Sequence, residues 1–169
     1  PKATAKKLIS MGVIDDVTLT YTKNSAVFKS DEYTIYTRLI EGKYFAYQKM
    51  FTEGEINTCA SRTALIGAMT RAKMCTEEKQ PAVFQIEDDV LNISIRDKLA
   101  DYQEQVPLQE TVCKSIRLGF DSRLVLETLK AFTCDNIALG FTSPRTPMIV
   151  EAEDSDMKAM VLPVAIREA

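Results

Sequence analysis

The sequence predicts an α+β fold, antiparallel strands with helices gathered on one face, and three observations carry that prediction. Residues 118–164 read as one capped helix followed by strands. The same order of helix, strand, turn and strand recurs at 6–40 and at 61–95. Neighbouring strands are separated by short turn-forming runs, Lys23-Asn24-Ser25, Glu87-Asp88-Asp89 and Ser143–Pro147. One helix on one hairpin cannot close a core by itself, so the copies are expected to stack side by side.

In chain order, Leu8, Ile9 and Met11 mark a short first helix. Val17, Leu19 and Tyr21 then face one way along a strand, and strands at Ala26–Phe28 and Tyr33–Leu39 follow the first turn. This is half of what the later segment contains, so residues 1–51 read as a truncated domain whose strands need partners upstream. The first residue is Pro1 rather than Met, and the parent protein is expected to begin earlier. Around Gly42 the periodicity fails, and the aromatic and apolar residues of 39–51 read as a connector. The domain boundary is expected near Thr52.

The second domain, residues 52–169, opens with a strand at Glu55–Ala60 and a helix at Ser61–Met74 that carries Leu65, Ala68, Met69 and Ala72 on one face. A hairpin is expected at Ala82–Ile95, turning at Glu87-Asp88-Asp89. Two separate strands follow, Ala100–Gln109 and Val112–Gly119. Pro107 lacks an amide donor, which predicts a sheet edge there, and an edge must be covered or paired. Asp121 stands where an N-cap should; Val125, Leu129 and Phe132 then recur at helical spacing, Leu126 widens the stripe, and the helix stops near Thr133. Ile137, Leu139 and Phe141 alternate with smaller residues as a half-buried strand, Met148–Val150 forms the next, and Met160–Ile166 is last. That last run is apolar on both faces, and Pro163 disfavours a central position for it.

Composition excludes several functions. With 169 residues, 46% of them hydrophobic, nothing marks the chain as disordered, and it holds neither a run of about 18 apolar residues nor a signal peptide. Cys59, Cys75, Cys113 and Cys134 form no Cys-x-x-Cys, and no histidine exists to complete a zinc site, so they read as reduced, mostly buried cysteines of a cytoplasmic protein. The same absence removes Ser-His-Asp and Cys-His arrangements and the usual general base. Glu87–Asp89 and the acidic residues of 151–156 lack the spaced ligands and turning glycine of a calcium loop and read as solvated turn carboxylates; a metal hydrolase built on them is the enzyme alternative. No Gly-rich phosphate loop occurs. Hence no catalytic residue, no metal site and no cofactor is expected.

The charge pattern is more informative. A net charge of −3 argues against coating nucleic acid by bulk attraction, so any DNA contact must be local or topological. Yet Arg123 and Lys130 share one helix face, Arg62 and Lys73 align on another, and Lys2, Lys6 and Lys7 cluster on the first helix. Stacked units would line one surface with these cations. The run Met160–Ile166 is either the closing strand of the core or the wall of an apolar groove for a partner's peptide.

With these residues assembled, the chain resembles the bacterial DNA polymerase III beta subunit family, the sliding clamps, from the second half of the middle domain (1–51) to the end of the third (52–169). The resemblance lies in Pro1-Lys2 with the helix after it, Tyr33–Tyr44, Leu118–Leu129, Phe141–Pro144 with Pro147–Val150, and Glu153–Asp156 with Leu162–Val164. Their order and spacing are specific where each alone is weak. The chain departs from the family at the connector, where Tyr44-Phe45-Ala46-Tyr47 replaces Phe-Pro-Asp-Tyr, at Thr52, where a nearby proline is missing, and at the close, where Leu162-Pro163-Val164-Ala165-Ile166 replaces Met-Pro-Met-Arg-Leu.

The resemblance implies a DNA clamp fold of repeated helix-plus-sheet units with no covalent chemistry. It implies a head-to-tail homodimeric ring that encircles duplex DNA without regard to sequence. The partners implied are the DNA polymerase III catalytic subunit, the clamp loader and other proteins carrying a clamp-binding peptide; no membrane is involved. Residue by residue, the groove for that peptide would be Met160, Val161, Leu162, Pro163, Val164 and Ile166, with Leu124, Arg145 and Pro147 nearby and Phe45 and Met50 from the connector. The DNA-facing set would be Lys2, Lys6, Lys7, Arg62, Lys73, Arg123 and Lys130. The subunit joint would use Met74, Cys75, Tyr102, Glu104 and Val106. A peptide-binding module that never closes on DNA is the alternative, favoured by the acidic charge and the apolar tail.

Overall fold

The helical and alternating segments resolve into two units, Pro1–Ala46 and Tyr47–Ala169, in the computed structural model, which describes residues 1–11, 16–75, 80–96, 101–152 and 155–166. The first unit holds α1 (Lys2–Ser10) and an antiparallel sheet of β1 (Thr18–Tyr21), β2 (Ser25–Lys29) and β3 (Thr34–Arg38) in that spatial order. The register sets Leu19 beside Phe28 and Phe28 beside Ile35, and Tyr21 beside Ala26 and Ala26 beside Thr37. Thr4 on α1 meets Thr37 hydroxyl to hydroxyl at 2.8 Å. Among the described residues of this unit only Ala26 and Thr37 are buried, whereas Leu19 and Tyr21 lie open to solvent.

The second unit contains, after a 3₁₀ turn at Tyr47–Met50, β4 (Ile56–Ser61), α2 (Arg62–Met74), β5 (Ala82–Arg96), β6 (Asp101–Phe120), α3 (Ser122–Ala131), β7 (Asn136–Phe141), β8 (Met148–Ala152) and β9 (Ser155–Val161). The strands form one antiparallel sheet in the order β5-β6-β4-β7-β8-β9. Both helices start on side-chain caps: Ser61 accepts from the Ala64 amide at 3.4 Å, and Asp121 from the Arg123 amide at 2.8 Å. Leu65, Ala68, Met69 and Ala72 of α2 and Val125, Leu126 and Leu129 of α3 are buried, and the two helices pack against each other over the sheet. Beneath them lie Phe84, Phe120, Ile137 and Phe141, with the Phe84 and Phe120 rings edge to face at 5.1 Å. Each such side chain contributes about 1.5–3 kcal/mol by leaving water. The opposite side of the β5–β6 ribbon carries Gln85, Asn92, Gln103, Gln105 and Arg117, so helices cover one face only. The class is α+β, as the sequence predicts.

Several elements differ from expectation. Glu87-Asp88-Asp89 is a bulge inside one 15-residue strand, not a hairpin turn. Ala82, Phe84 and Ile86 are buried and so are Leu91, Ile93 and Ile95, which changes the alternation by one residue; the bulge absorbs the difference, with Asp88 at φ 51°. Likewise 101–120 is one strand of 20 residues, whose ladder with β5 slips between Val112 and Pro107 rather than breaking. The expected start of this strand at Ala100 lies outside the described residues. β5 and β9 form the sheet edges, so β6 is not an edge over its length. Locally it is one: β4 pairs with β6 at Ala60 and Leu108, the chain then leaves for α2, and among the described residues no strand flanks Asp101–Val106 on that side. Pro107 falls where that ladder stops, so its missing amide breaks little. The last strand ends at Val161, two residues before Pro163. Edge strand β9 carries Lys158, paired across to Glu151 at 2.8 Å. The four cysteines form no disulfide, but Cys113 is exposed and the others only half-buried. No described helix is long and apolar enough to cross a membrane.

Candidate functional site

Most of the residues expected around a peptide groove come from three parts of the second unit: α3, the turn at 143–147, and the end of β9 with the segment after it. α3 lies against β9, and Met148 pairs with Val161, so the turn bearing Arg145 and Pro147 runs level with the end of β9. Thr146 fixes that turn, its amide donating to the Ser143 carbonyl at 3.2 Å and its hydroxyl accepting from the Ser143 amide at 2.9 Å. Leu124 is 50% exposed on α3, and Leu162 and Val164 are 55% and 41% exposed after β9, which is unusual for large apolar side chains in one neighbourhood. Met160 and Pro163 are half-buried. Val161 is the exception: it is 3% exposed and belongs to the core, because inward alternation along β9 requires it. The tail turns back over β6, the Val164 amide donating to the Gly119 carbonyl at 2.8 Å. A side chain at Gly119 would meet the Val164 carbonyl oxygen at 2.9 Å and Ile166 Cγ1 at 3.0 Å, so a glycine is what admits the tail. Ile166 also lines a cavity of about 670 Å³ on the outward face, with Gln85, Gln103 and Arg117. Met50 sits half-buried in the 3₁₀ turn. Phe45 belongs to the first unit, where its ring stacks on Tyr44 at 5.1 Å.

The cationic residues divide by environment. Lys2, Lys6 and Lys7 are exposed along α1, and Lys73, Arg123 and Lys130 are exposed on the helices of the second unit. Arg62 differs. It is half-buried, and its Nε donates to the Cys134 carbonyl at 2.5 Å while its amide donates to the Asp135 carbonyl at 2.9 Å, so it ties the start of α2 to the segment between α3 and β7. Arg123 folds back on the cap, its guanidinium 3.2 Å from Asp121 Oδ2. Burial pushes the Asp121 carboxyl up, but the Arg123 side chain and the Arg123 and Leu124 amides outweigh it, and the carboxyl titrates below its ordinary range.

At the open stretch of β6, Met74 is 82% exposed and Cys75 half-buried, whereas Val106 points into the core and is 1% exposed. Tyr102 and Glu104 form a cluster with α2. The Arg71 guanidinium forks onto Glu104 at 2.8 and 2.6 Å, and the Tyr102 hydroxyl contacts the same carboxylate and lies 2.9 Å from the Ala68 carbonyl. The fork holds Glu104 below the usual carboxylate range, burial and then Glu104 raise the Tyr102 phenol, and Glu104 raises Arg71. Arg71 was not among the expected site residues. Its signal in the sequence is Gly67, one turn earlier, where an added Cβ would lie 3.2 Å from Arg71 Nη2.

Among the described residues no group of three or more His, Cys, Asp or Glu side chains is arranged to hold a metal, and Glu87, Asp88 and Asp89 are exposed around the bulge. The described surface of the second unit carries exposed apolar side chains on α3 and after β9, exposed cations on its helices, and an open stretch of β6.

The family model described as DNA polymerase III beta subunit, C-terminal domain, matches residues 51–165. The beta sliding clamp of Staphylococcus aureus is 24% identical over 155 residues, covering 89% of this chain and 41% of that protein. That of Halalkalibacterium halodurans is 25% identical over 140 residues, covering 80% and 37%. Among solved structures, the DNA polymerase III subunit beta of Pseudomonas aeruginosa superposes with a TM-score of 0.88 at 19% identity, over 98% of this chain and 47% of that one. A putative DNA polymerase III beta subunit from Eubacterium rectale gives 0.79 at 23% identity, over 89% and 42%. The fold is therefore the sliding-clamp fold, and the chain spans about two fifths of the length of the curated relatives it matches. With more than half of its residues matched by that one family model, the chain belongs to the DNA polymerase III beta subunit family.

Proposed function

We propose that the protein to which this chain belongs is a DNA sliding clamp, a non-catalytic processivity factor of the bacterial cytoplasm that encircles duplex DNA and tethers the replicative polymerase and repair proteins by a short peptide. Residues 1–51 are assigned to the second half of its middle domain and 52–169 to its third. The observation that carries the reading is the coincidence of the family match over 51–165 with the exposed apolar side chains Leu124, Leu162 and Val164 of α3 and the segment after β9. A clamp must hold DNA without stopping on it. The cations Lys73, Arg123 and Lys130 on an otherwise acidic chain suit weak, salt-screened phosphate attraction, and persistence then comes from encirclement. The ring closes head to tail through the open stretch of β6, which an added strand would cover.

Two measurements on the full-length protein test this. Retention on circular but not linear DNA separates a ring from a peptide-binding module; equal retention on both would refute encirclement. Replacing Leu162→Asp together with Pro163→Ala should abolish binding of a clamp-binding peptide while ring assembly is unchanged, and retained affinity would remove the groove assignment.

A further inference from the structure

The outward face of the β5–β6 ribbon is hollowed where the tail crosses it. The cavity there, of about 670 Å³, is lined from both sides of the bulge, by Gln85 on one and by Ser94 and Gln103 on the other. Pro81, Val83 and Ile166 give it an apolar side. Ile166 reaches that side because Gly119, the ladder partner of Val83, has no side chain to hold the tail off. At the far end Arg96 and Asp101 face each other at 3.9 Å. Arg117 is different: it is exposed and, among the described residues, carries no ion pair. Gln85, opposite it in the ladder, donates to Glu87 at 2.7 Å, so that neighbouring acid is already engaged. The cavity thus offers one uncommitted guanidinium among neutral polar side chains, beside an apolar wall.

We infer that this cavity takes the flank of a partner's clamp-binding peptide, a short extended segment bearing a carboxylate that Arg117 receives. The inference rests on the groove proposed above and adds a charged contact outside its apolar anchor. The tail joins the two places: Leu162 stands at the groove and Ile166 at the cavity, and four residues of extended chain span about 13 Å. A peptide seated on Leu124 and Leu162 therefore needs about four further residues to reach Arg117. A guanidinium receives a carboxylate through paired N–H donors, and glutamine and serine side chains offer donors and acceptors to the backbone of an extended chain. A nucleic acid strand fits less well, because phosphate attraction without regard to sequence draws on several cations and the cavity has one to spare.

The test titrates the full-length protein into fluorescein-labelled peptides and reads anisotropy. Each peptide carries the apolar clamp-binding anchor, and extensions of about four residues, ending in aspartates or in asparagines, are placed at one end or the other. One of the two aspartate peptides should bind about two- to fivefold tighter than its asparagine counterpart at about 0.1 M NaCl, and the gain should vanish at about 1 M. Arg117→Gln should abolish the gain and leave the affinity of the unextended peptide unchanged. Arg117→Glu should invert the preference toward an extension ending in lysines, a result that a variant damaged in folding would not give. A gain under about twofold at both ends overturns the inference, and so does a gain that survives in Arg117→Gln. Binding of a labelled single-stranded oligonucleotide that is lost in Arg117→Gln, with no gain for either aspartate peptide, marks a phosphate site and overturns it too. An unextended peptide that does not bind refutes the groove itself, whereas absence of the aspartate gain alone leaves the groove standing.

Discussion

Gly119→Ala tests the seat of the tail with a single methyl group. The new Cβ would stand 2.9 Å from the Val164 carbonyl oxygen, 3.0 Å from Ile166 Cγ1 and 3.2 Å from Pro81 Cβ. Ordinary contact begins near 3.4 Å, so the backbone at Val164 must retreat by about half an ångström, and retreat lengthens the 2.8 Å bond from its amide to the Gly119 carbonyl. Gly119 is not at positive φ, so alanine brings no backbone strain of its own, and the effect falls on the tail. Losing one such hydrogen bond costs about 0.5–1.5 kcal/mol. Since each 1.4 kcal/mol is tenfold in affinity, a peptide that packs on Leu162 and Val164 should bind about two- to tenfold more weakly. Fluorescence anisotropy of a labelled clamp-binding peptide on the full-length variant reads this directly, with thermal melting as the control for folding. Wild-type affinity in Gly119→Ala would refute the seating of the tail as a determinant of the groove.

Other expectations follow from the same geometry. Asp121→Ala should cost about 1 kcal/mol in urea unfolding through loss of the α3 cap, and Asp121→Asn only a few tenths; equal losses would assign the effect to charge rather than to capping. Asp121 and Glu104 both titrate below their ordinary values, so their contribution to stability is present in full above the unfolded range of about 4 and is lost as pH falls through the lower folded values. Urea midpoints followed from neutral to acid pH should accordingly fall less in Asp121→Asn with Glu104→Gln than in the wild type. Arg123→Glu with Lys130→Glu should weaken retention on DNA and flatten its salt dependence, and an unaltered salt slope would return both residues to the solvated surface. Phe84→Ala, removing a ring buried against Phe120, should cost about 3–5 kcal/mol by denaturant unfolding, and a loss under about 1 kcal/mol would contradict the packing.

α2 and α3 were legible from an apolar stripe at the right spacing, Leu65 with Met69 and Val125 with Leu129, and α3 also from its cap Asp121, whereas α1 has neither a side-chain cap nor a buried residue. The strands around Ile137 and Met148 were legible from alternation and a proline-rich turn. Glu87-Asp88-Asp89 was not, since three consecutive acids between alternating runs look the same whether the chain reverses or bulges; what decides is the partner strand, which sequence does not display. Pro107 pointed to a real gap in pairing but not to its cause, the departure of β4 into α2. At the candidate site, the apolar end of the chain marked Leu162 and Val164, yet periodicity could not exclude Val161 and Val106, whose inward side chains follow from strand phase. Arg62 read as a surface cation, and nothing singled out Arg71. Their hydrogen-bond partners are 72 and 33 residues away in the chain, too far for any local pattern to reveal.

The bulge in β5 reverses the usual rule for losing a residue. A one-residue deletion within a strand normally exchanges its wet and dry faces. The inward phase of β5 already shifts by one residue across 87–89, so deleting Asp88 would restore plain alternation and leave Leu91, Ile93 and Ile95 turned inward, while the longer run between the same pairings, Pro107 to Ile116, belongs to β6. The same deletion at Asn92 would send Ile93 and Ile95 to water. Length variation in this strand is thus tolerated at one place, and that place lies in the middle of the strand rather than at its ends.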